Sequence, residues 1–231
     1  LCTIHRSIAA SPSYVLRQKT EIDCLIPIPK IAKMMPSAAL PNNPPAFLEP
    51  TVMSTPVLLL PGIGNSGPQH WQSLWEMEYP HFQRIQQRDW DHPVCEEWVA
   101  TLETTIEAMT NPPVLVAHSL ACLMVAAWTT STQQRIKGAL LVAVPDPHGP
   151  QFPTEATGFT DIPHDRFPFP STLIASSNDP YATLAYVQQC AHDWGSQLIH
   201  IGDAGHINAA SGLGRWEQGL QFLAALTQAT T

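Results

Sequence analysis

Basic residues are scarce in this chain, which argues against binding partners that carry a strong negative charge. Lys and Arg number 11 against 19 Asp and Glu, which gives a formal net charge of −8 at pH 7. Long apolar runs are missing too, because Pro, Gly or charged residues interrupt each apolar stretch before it reaches the length of about 20 residues that spans a bilayer. Neither nucleic acid nor membrane is expected as a partner. We expect a soluble, cytoplasmic protein.

The sequence contains few cysteines and no regular spacing of metal-binding residues. The five cysteines are odd in number and include no Cys-x-x-Cys pair, which argues against a disulfide scaffold and against a zinc site. His148 and His164 are spaced too irregularly to favour a metal site, which stays a minor alternative. We therefore expect reduced thiols, no cofactor and no metal ion.

Residues 1–52 differ from the rest of the chain in proline content and in the pattern of their apolar residues. Their apolar residues show no sustained period, and prolines interrupt them at Pro36, Pro41, Pro44, Pro45 and Pro50. We predict an N-terminal leader that is disordered or absent from the native protein, followed by one folded domain over residues 53–231. Met53 is the expected native start, with a targeting peptide as the alternative.

From Val57 onward, short apolar runs alternate with amphipathic segments. The runs predict strands over residues 57–60, 83–88, 114–117, 139–144, 172–175 and 197–201, and the segments predict helices over 70–78, 95–109, 119–129, 181–193 and 215–227. Such alternation is typical of a three-layer α/β sandwich, here with about six mostly parallel strands and helices on both faces. In such sheets, active groups gather beyond the carboxyl ends of the strands.

The stretch from Pro113 to Ala127 has the pattern of a nucleophile elbow. A β-branched apolar run meets a helical apolar pattern, and Ser119 stands at the junction. A serine on such a turn is exposed to substrate, and the first N–H groups of the helix point toward it. Ala117 and Ala121 occupy the positions where glycine is usual. The alternative is a serine that only caps a buried helix.

The loop after the first strand contains Gly62, Gly64 and Gly67. No Gly-Lys-Ser/Thr follows, so it is not a P-loop, and no clear acidic residue ends the next strand, as a dinucleotide site requires. Its backbone is suited to stabilising negative charge. We predict an oxyanion hole from the N–H groups of Leu120 and of Ile63, with Gly64 as an alternative to Ile63.

Two later loops offer an acid and a base. Asp179 follows the fifth predicted strand, and His206 lies in a glycine-flanked loop after the sixth. With Ser119 they stand in the chain order nucleophile, acid, base of the α/β-hydrolase arrangement. Asp146 is the alternative acid. His118 is interpreted as a packing residue rather than as the base.

Five motifs, taken together, resemble the small serine hydrolases of the retinoblastoma-binding-protein-9 and YdeN type, within the α/β-hydrolase superfamily. They are Pro61-Gly62 leading to His70-Trp71, Asp89-Trp90, His118-Ser119-Leu120, Ser177-Asn-Asp179-Pro-Tyr and Gly205-His206-Ile-Asn208. The resemblance covers about residues 56–227. It implies a compact α/β-hydrolase domain without a large lid, with Ser119, Asp179 and His206 as the catalytic triad.

The expected activity is hydrolysis of small carboxylic esters through an acyl-enzyme, with amides, thioesters and acyl transfer as variants of the same chemistry. A small-molecule ester is the expected partner of a monomer or small homo-oligomer. The rival is a protein-binding module on the same fold. Its surface would come from tryptophans expected near the site loops, which otherwise line a pocket or pack in the core: Trp71, Trp75, Trp90 and Trp98.

Overall fold

The computed structural model describes residues 55–229, in which strands and helices alternate. The strands are β1 (Val57–Leu60), β2 (Phe82–Arg84), β3 (Val114–His118), β4 (Gly138–Val142), β5 (Ser171–Ala175) and β6 (Gln197–His200). The helices are α1 (Trp71–Glu78), α2 (Cys95–Glu107), α3 (Leu120–Trp128), α4 (Leu184–Trp194) and α5 (Glu217–Ala229), with a short 3-10 helix at Ala209–Ser211. The predicted leader over residues 1–52 and the proposed start at Met53 lie outside the described residues.

The strands form one sheet in the order β2-β1-β3-β4-β5-β6, and every neighbouring pair is parallel. All strands therefore end at the same edge of the sheet, and the loops after β1, β3, β5 and β6 meet there. The predicted fold class, an α/β sandwich with helices on both faces, is confirmed.

Alternation along the strands divides the apolar side chains between two cores. Leu58 and Leu115 face a core with α2, α3 and α4. Val57 and Val116 face the opposite core with α1 and α5. Both faces of the central strands are buried, which is why these strands appear in the sequence as uninterrupted apolar runs.

Two elements differ from their predicted bounds by more than two residues at one end. The edge strand β2 ends at Arg84, whereas the sequence predicts a strand to residue 88. The chain leaves the sheet there, and the Trp90 carbonyl then accepts a hydrogen bond from the Gly64 N–H at 2.9 Å. Helix α4 begins at Leu184, three residues later than predicted, because Thr183 is its N-cap and accepts from the Tyr186 N–H.

No large lid interrupts the described part of the sheet. The connection between β4 and β5, residues 143–170, contains no helix. Within residues 55–229, no helix combines the length and the apolar character needed to cross a bilayer.

Candidate active site

Ser119 occupies the sharp turn between β3 and α3. Its backbone has φ 55° and ψ −126°, a conformation that a residue with a side chain rarely adopts. The Ser119 N–H donates to the Val142 carbonyl of β4 at 2.9 Å, and its own carbonyl accepts from the Cys122 N–H at 2.9 Å. Such conformations cost about 1–3 kcal/mol and persist where the surroundings fix them. The serine is held in this way at the carboxyl edge of the sheet.

Small residues surround this turn. Ala117 and Ala121, two positions before and after the serine, are fully buried. Gly62 approaches from the loop after β1. A Cβ at position 62 would lie 2.9 Å from Ser119 Cβ and 3.1 Å from the His118 carbonyl oxygen. Any side chain there would force the loop and the turn apart.

His206 and Asp179 continue a line of hydrogen bonds that begins at the serine hydroxyl. His206 Nε2 lies 2.8 Å from Ser119 Oγ, and His206 Nδ1 lies 2.9 Å from both carboxylate oxygens of Asp179. An ionised carboxylate only accepts, so Nδ1 carries a proton and Nε2 accepts from the hydroxyl. The side chains of His206 and Asp179 are 8% and 4% exposed. The structure thus brings together the three residues predicted from three separate loops.

The acid loop also contacts the base through Tyr181. Its ring packs against His206 with ring centroids 4.4 Å apart, and its N–H donates to Asp179 Oδ1 at 2.9 Å. Asp146, the alternative acid, contacts this loop only through its backbone N–H, which donates to the Tyr181 carbonyl. Its carboxylate accepts from the His148 N–H at 2.9 Å. The carboxylate that reaches the imidazole is therefore that of Asp179.

Side chains next to the acid fasten the loop that carries the base. Asn178 Oδ1 accepts from the Gly205 N–H at 2.7 Å. Ser176 Oγ accepts from the Ala204 N–H at 2.9 Å and donates to Asn178 Oδ1 at 2.9 Å. The two N–H groups directly before the histidine are thus fixed by the loop that contains the acid.

The residue after the base has a strained backbone. Ile207 has φ 48°, which is an outlier for a β-branched residue, and its side chain is fully buried. The indole N–H of Trp71 donates to the Ile207 carbonyl at 2.8 Å. Burial and this hydrogen bond together hold a conformation that an unconstrained isoleucine would leave.

Two further histidines pack beside the base. His118 Nε2 donates to the His206 carbonyl at 3.0 Å. His70 caps α1 by accepting from the Gln72 N–H at 3.2 Å, and its ring centroid lies 4.6 Å from that of His118. Burial, with a smaller effect of the Arg84 charge, lowers the pKa of His70 to about 3. Burial also holds the pKa of His118 well below its ordinary value, so both rings are neutral at pH 7.

Two backbone N–H groups next to the serine are suited to bind an oxyanion. Leu120 is the first residue of α3, so its N–H has no partner within the helix. The Ile63 N–H has no acceptor among residues 55–229, whereas the Gly64 N–H donates to the Trp90 carbonyl. Of the two predicted alternatives in this loop, Ile63 is therefore the one whose N–H is free.

A largely buried arginine side chain stabilises this loop. Arg84 Nη1 donates to the carbonyls of Asn65 and Ser66 at 3.1 and 3.2 Å. Its Nη2 donates to Ser73 Oγ at 2.6 Å, and its Nε donates to Glu76 at 2.8 Å. Asn65 and Ser66 have φ of 57° and 31°. The guanidinium thus stabilises a strained backbone close to the predicted oxyanion donor.

A fully buried glutamine joins the same loop to the sheet. Gln72 Nε2 donates to the carbonyl of Leu60, the last residue of β1, at 3.2 Å and to the carbonyl of Val116 in β3 at 3.0 Å. Its Oε1 accepts from Ser66 Oγ at 2.7 Å. Sequence reasoning identified neither Gln72 nor Arg84. The only signal for them was a polar side chain within a predicted strand or helix.

A cavity of about 460 Å³ lies beside the serine and the base. The segment between β4 and β5 contributes Gln151 and Pro153 to its wall, and the loop after β1 contributes Ile63. Further lining residues come from these two segments, from His70 at the start of α1, from the elbow, from the acid loop and from the loop that contains His206.

The four tryptophans predicted near the site loops pack in the two cores, which is the alternative role that the sequence left open for them. Trp71 and Trp75 pack with Trp216 on one face of the sheet. Trp98 contacts Trp90 on the other face. None of these five residues is among the described residues that line the cavity.

Neither a reactive thiol nor a metal site is found among the described candidate residues. Cys122 is fully buried, and this burial raises the pKa of its thiol, as expected of an unreactive residue. Among the described side chains, no group of three or more His, Cys, Asp or Glu is placed to hold a metal ion.

A sheet of parallel strands covered by helices on both faces, with a serine at the turn after β3, defines an α/β-hydrolase. A family profile described as serine hydrolase matches residues 57–225. The chain belongs to this family of hydrolases. No curated protein sequence matches it.

Solved structures share the fold. A protein described as a YdeN-like hydrolase from Pectobacterium atrosepticum is 34% identical, with a TM-score of 0.71 over 78% of this chain and 95% of its own. The ydeN gene product of B. subtilis is 20% identical, with a TM-score of 0.63 over 75% and 98%. A monoacylglycerol lipase from Paleococcus ferrophilus is 14% identical, with a TM-score of 0.57 over 77% and 96%. The last two show the fold alone. The predicted membership among small serine hydrolases of the YdeN type is confirmed.

Proposed function

We propose that this protein hydrolyses carboxylic esters of small molecules through an acyl-enzyme formed on Ser119. The observation that carries the proposal is the continuous line of hydrogen bonds from Ser119 Oγ through the ring of His206 to Asp179, at 2.8 and 2.9 Å. Family membership supports hydrolysis, and the cavity of about 460 Å³ supports a small substrate.

In the first half of the reaction, Ser119 Oγ attacks the ester carbonyl while His206 Nε2 accepts the hydroxyl proton. Asp179 fixes the ring tautomer and stabilises the imidazolium that forms. The N–H groups of Leu120 and Ile63 would bind the oxyanion, and each such donor typically lowers the barrier by about 3 kcal/mol. The tetrahedral intermediate then expels the alcohol, which takes its proton from His206.

In the second half, water replaces the alcohol. His206 accepts a proton from the water as it attacks the acyl-enzyme, and Ser119 leaves with that proton restored. Amides and thioesters would react through the same groups. Transfer of the acyl group to an acceptor other than water also uses them, so product analysis with added alcohols distinguishes hydrolysis from transfer.

Covalent labelling by a fluorophosphonate probe tests the nucleophile. The unmutated protein should be labelled and should cleave p-nitrophenyl butyrate, whereas Ser119→Ala should abolish labelling and lower kcat by about 10⁴-fold or more. The exposed Ser131→Ala serves as the matched control and should behave like the unmutated protein. A folded, unmutated protein that neither labels nor cleaves esters would refute the proposal and favour the protein-binding module.

Two aspartates allow a matched test of the acid. Asp179→Asn should lower kcat by about 10⁴-fold, because the amide no longer stabilises the required tautomer. Asp146→Asn should change kcat little, since its carboxylate contacts the backbone of His148 and not the imidazole. The opposite ranking of the two variants would assign the role to Asp146.

A further inference from the structure

The cavity beside Ser119 is lined without formal charge. None of the described residues in its wall is Asp, Glu, Lys or Arg. Its ionisable side chains are three histidines and Tyr181. Two of the histidines, His70 and His118, stay neutral at pH 7 because burial lowers their pKa.

Two charged side chains behind the wall, those of Arg84 and Asp179, are already paired. Each nitrogen of Arg84 donates a hydrogen bond to the loop after β1 or to Ser73 or Glu76 of α1, and the guanidinium does not line the cavity. Asp179 binds His206 through both carboxylate oxygens and is 4% exposed. A charged group on the substrate would therefore find no counter-ion in the wall, and its desolvation would go uncompensated.

Some polar atoms in the cavity wall are already hydrogen-bonded to other groups of the protein. Ser66 Oγ donates to Gln72 Oε1, and Asn208 Oδ1 accepts from the Ala210 N–H. Apolar side chains make up much of the remaining wall: Ile63, Leu120, Pro145, Pro153, Ala209 and Ala210. Its volume of about 460 Å³ is near the lower end of the range of about 300–1,000 Å³ for ligand pockets.

We infer that the acyl group accepted by this cavity is uncharged, so that neutral esters are substrates whereas esters with a carboxylate or an ammonium group on the acyl chain are discriminated against. This inference rests on the proposed function and specifies its substrate class. The overall charge of −8 adds long-range repulsion of anions only, whereas the neutral wall disfavours both signs.

Matched p-nitrophenyl esters test the inference. The adipate monoester is compared with its primary amide, which has nearly the same shape without the charge. The 6-trimethylammoniohexanoate ester is compared with the 7,7-dimethyloctanoate ester, in which carbon replaces the charged nitrogen. In both pairs kcat/KM should be at least tenfold lower for the charged ester, which corresponds to about 1.4 kcal/mol.

A new cation in the wall should reverse the discrimination against the anion. Gln151 lines the cavity with an exposed side chain, so Gln151→Lys should raise the ratio of kcat/KM for adipate over its amide at least fivefold. Gln133→Lys adds the same charge beside Pro112 and Arg135, before the strands begin and thus at the opposite edge of the sheet, and should leave the ratio unchanged.

The outcomes separate the two proposals. Equal rates within both ester pairs, or an equal rise of the ratio in both lysine variants, would overturn the inference and leave the hydrolase function standing. Absence of hydrolysis for all four esters, together with absence of fluorophosphonate labelling, would refute the proposed function and the inference with it.

Discussion

The two buried histidines beside the base, His70 and His118, should make the folded protein sensitive to mild acid. Burial lowers the pKa of His70 from 6.5 to about 3 and holds that of His118 well below 6.5. In the unfolded chain both rings regain a pKa of about 6.5. Above that pH neither state binds the extra proton, and full stability is present. As the pH falls below it, only the unfolded state binds protons, so the free energy of unfolding decreases.

The lowered pKa values determine how much of the free energy of unfolding is lost. Each ring removes up to about 1.4 kcal/mol of stability per pH unit in the window below pH 6.5. Between pH 7 and pH 5 the loss is about 2 kcal/mol for His70, and protonation of His118 in the unfolded chain adds to it in the same direction. For His70 the window closes near pH 3, where the folded state also binds the proton. Such a loss is a large part of the 5–15 kcal/mol, roughly, that stabilises a typical domain.

Urea unfolding at pH 7 and pH 5 measures the effect. In His70→Asn the amide oxygen replaces Nδ1 as the helix cap, and in His118→Gln the amide N–H replaces the donor to the His206 carbonyl. Between the two pH values, His70→Asn should lose about 2 kcal/mol less than the unmutated protein, and His118→Gln should also lose less than the unmutated protein. The exposed His148→Gln is the control and should match the unmutated protein. If all four proteins lose the same free energy, buried histidines are not the source of the acid sensitivity, and the reasoning fails.

Two substitutions test how the loops are positioned. Gly62→Ala should slow fluorophosphonate labelling at least tenfold, because its Cβ would lie 2.9 Å from Ser119 Cβ, and an unchanged rate would show that the loop yields. Trp71→Phe leaves the buried Ile207 carbonyl without its donor, so it should cost about 1–3 kcal/mol of stability and slow labelling. Trp75→Phe removes an indole hydrogen bond to a carbonyl next to Trp216, so it should lower stability without slowing labelling, and equal slowing in both variants would contradict a specific effect on the base.

The fold was predictable because the central strands are buried on both faces. The runs over residues 57–60 and 114–117 are apolar without interruption, and the helices between the strands force a parallel sheet. Parallel strands all end at one edge, so residues after the strands were candidates for one site. Ser119, Asp179 and His206 followed from that rule and from their order along the chain.

Contacts between the loops were not predictable from the sequence. Trp71 donates to a carbonyl 136 residues further along the chain, and His118 contacts the backbone of a residue 88 positions away. No periodicity encodes such pairs, because they depend on how two separate crossovers pass over the sheet edge. The positive φ of Ile207 could not be predicted from the sequence either, since a β-branched residue favours an extended backbone. These residues control the position of the base, so they are part of the site although none had a chemical signature.

Alanines stand at the two elbow positions where glycine is usual, 117 and 121. Ala121 lies in the first turn of α3 with its methyl group fully buried, and the three side chains of the proposed triad are nevertheless within hydrogen-bond distance. Ala121→Gly should therefore leave the rate of fluorophosphonate labelling unchanged. It should lower stability by about 1.5–2 kcal/mol, because a helical glycine costs about 1 kcal/mol and the buried methyl contributes about 0.8 kcal/mol. A severalfold faster rate for this variant, measured beside its urea unfolding curve, would show that the methyl group hinders the nucleophile and that glycine is the better residue for catalysis here.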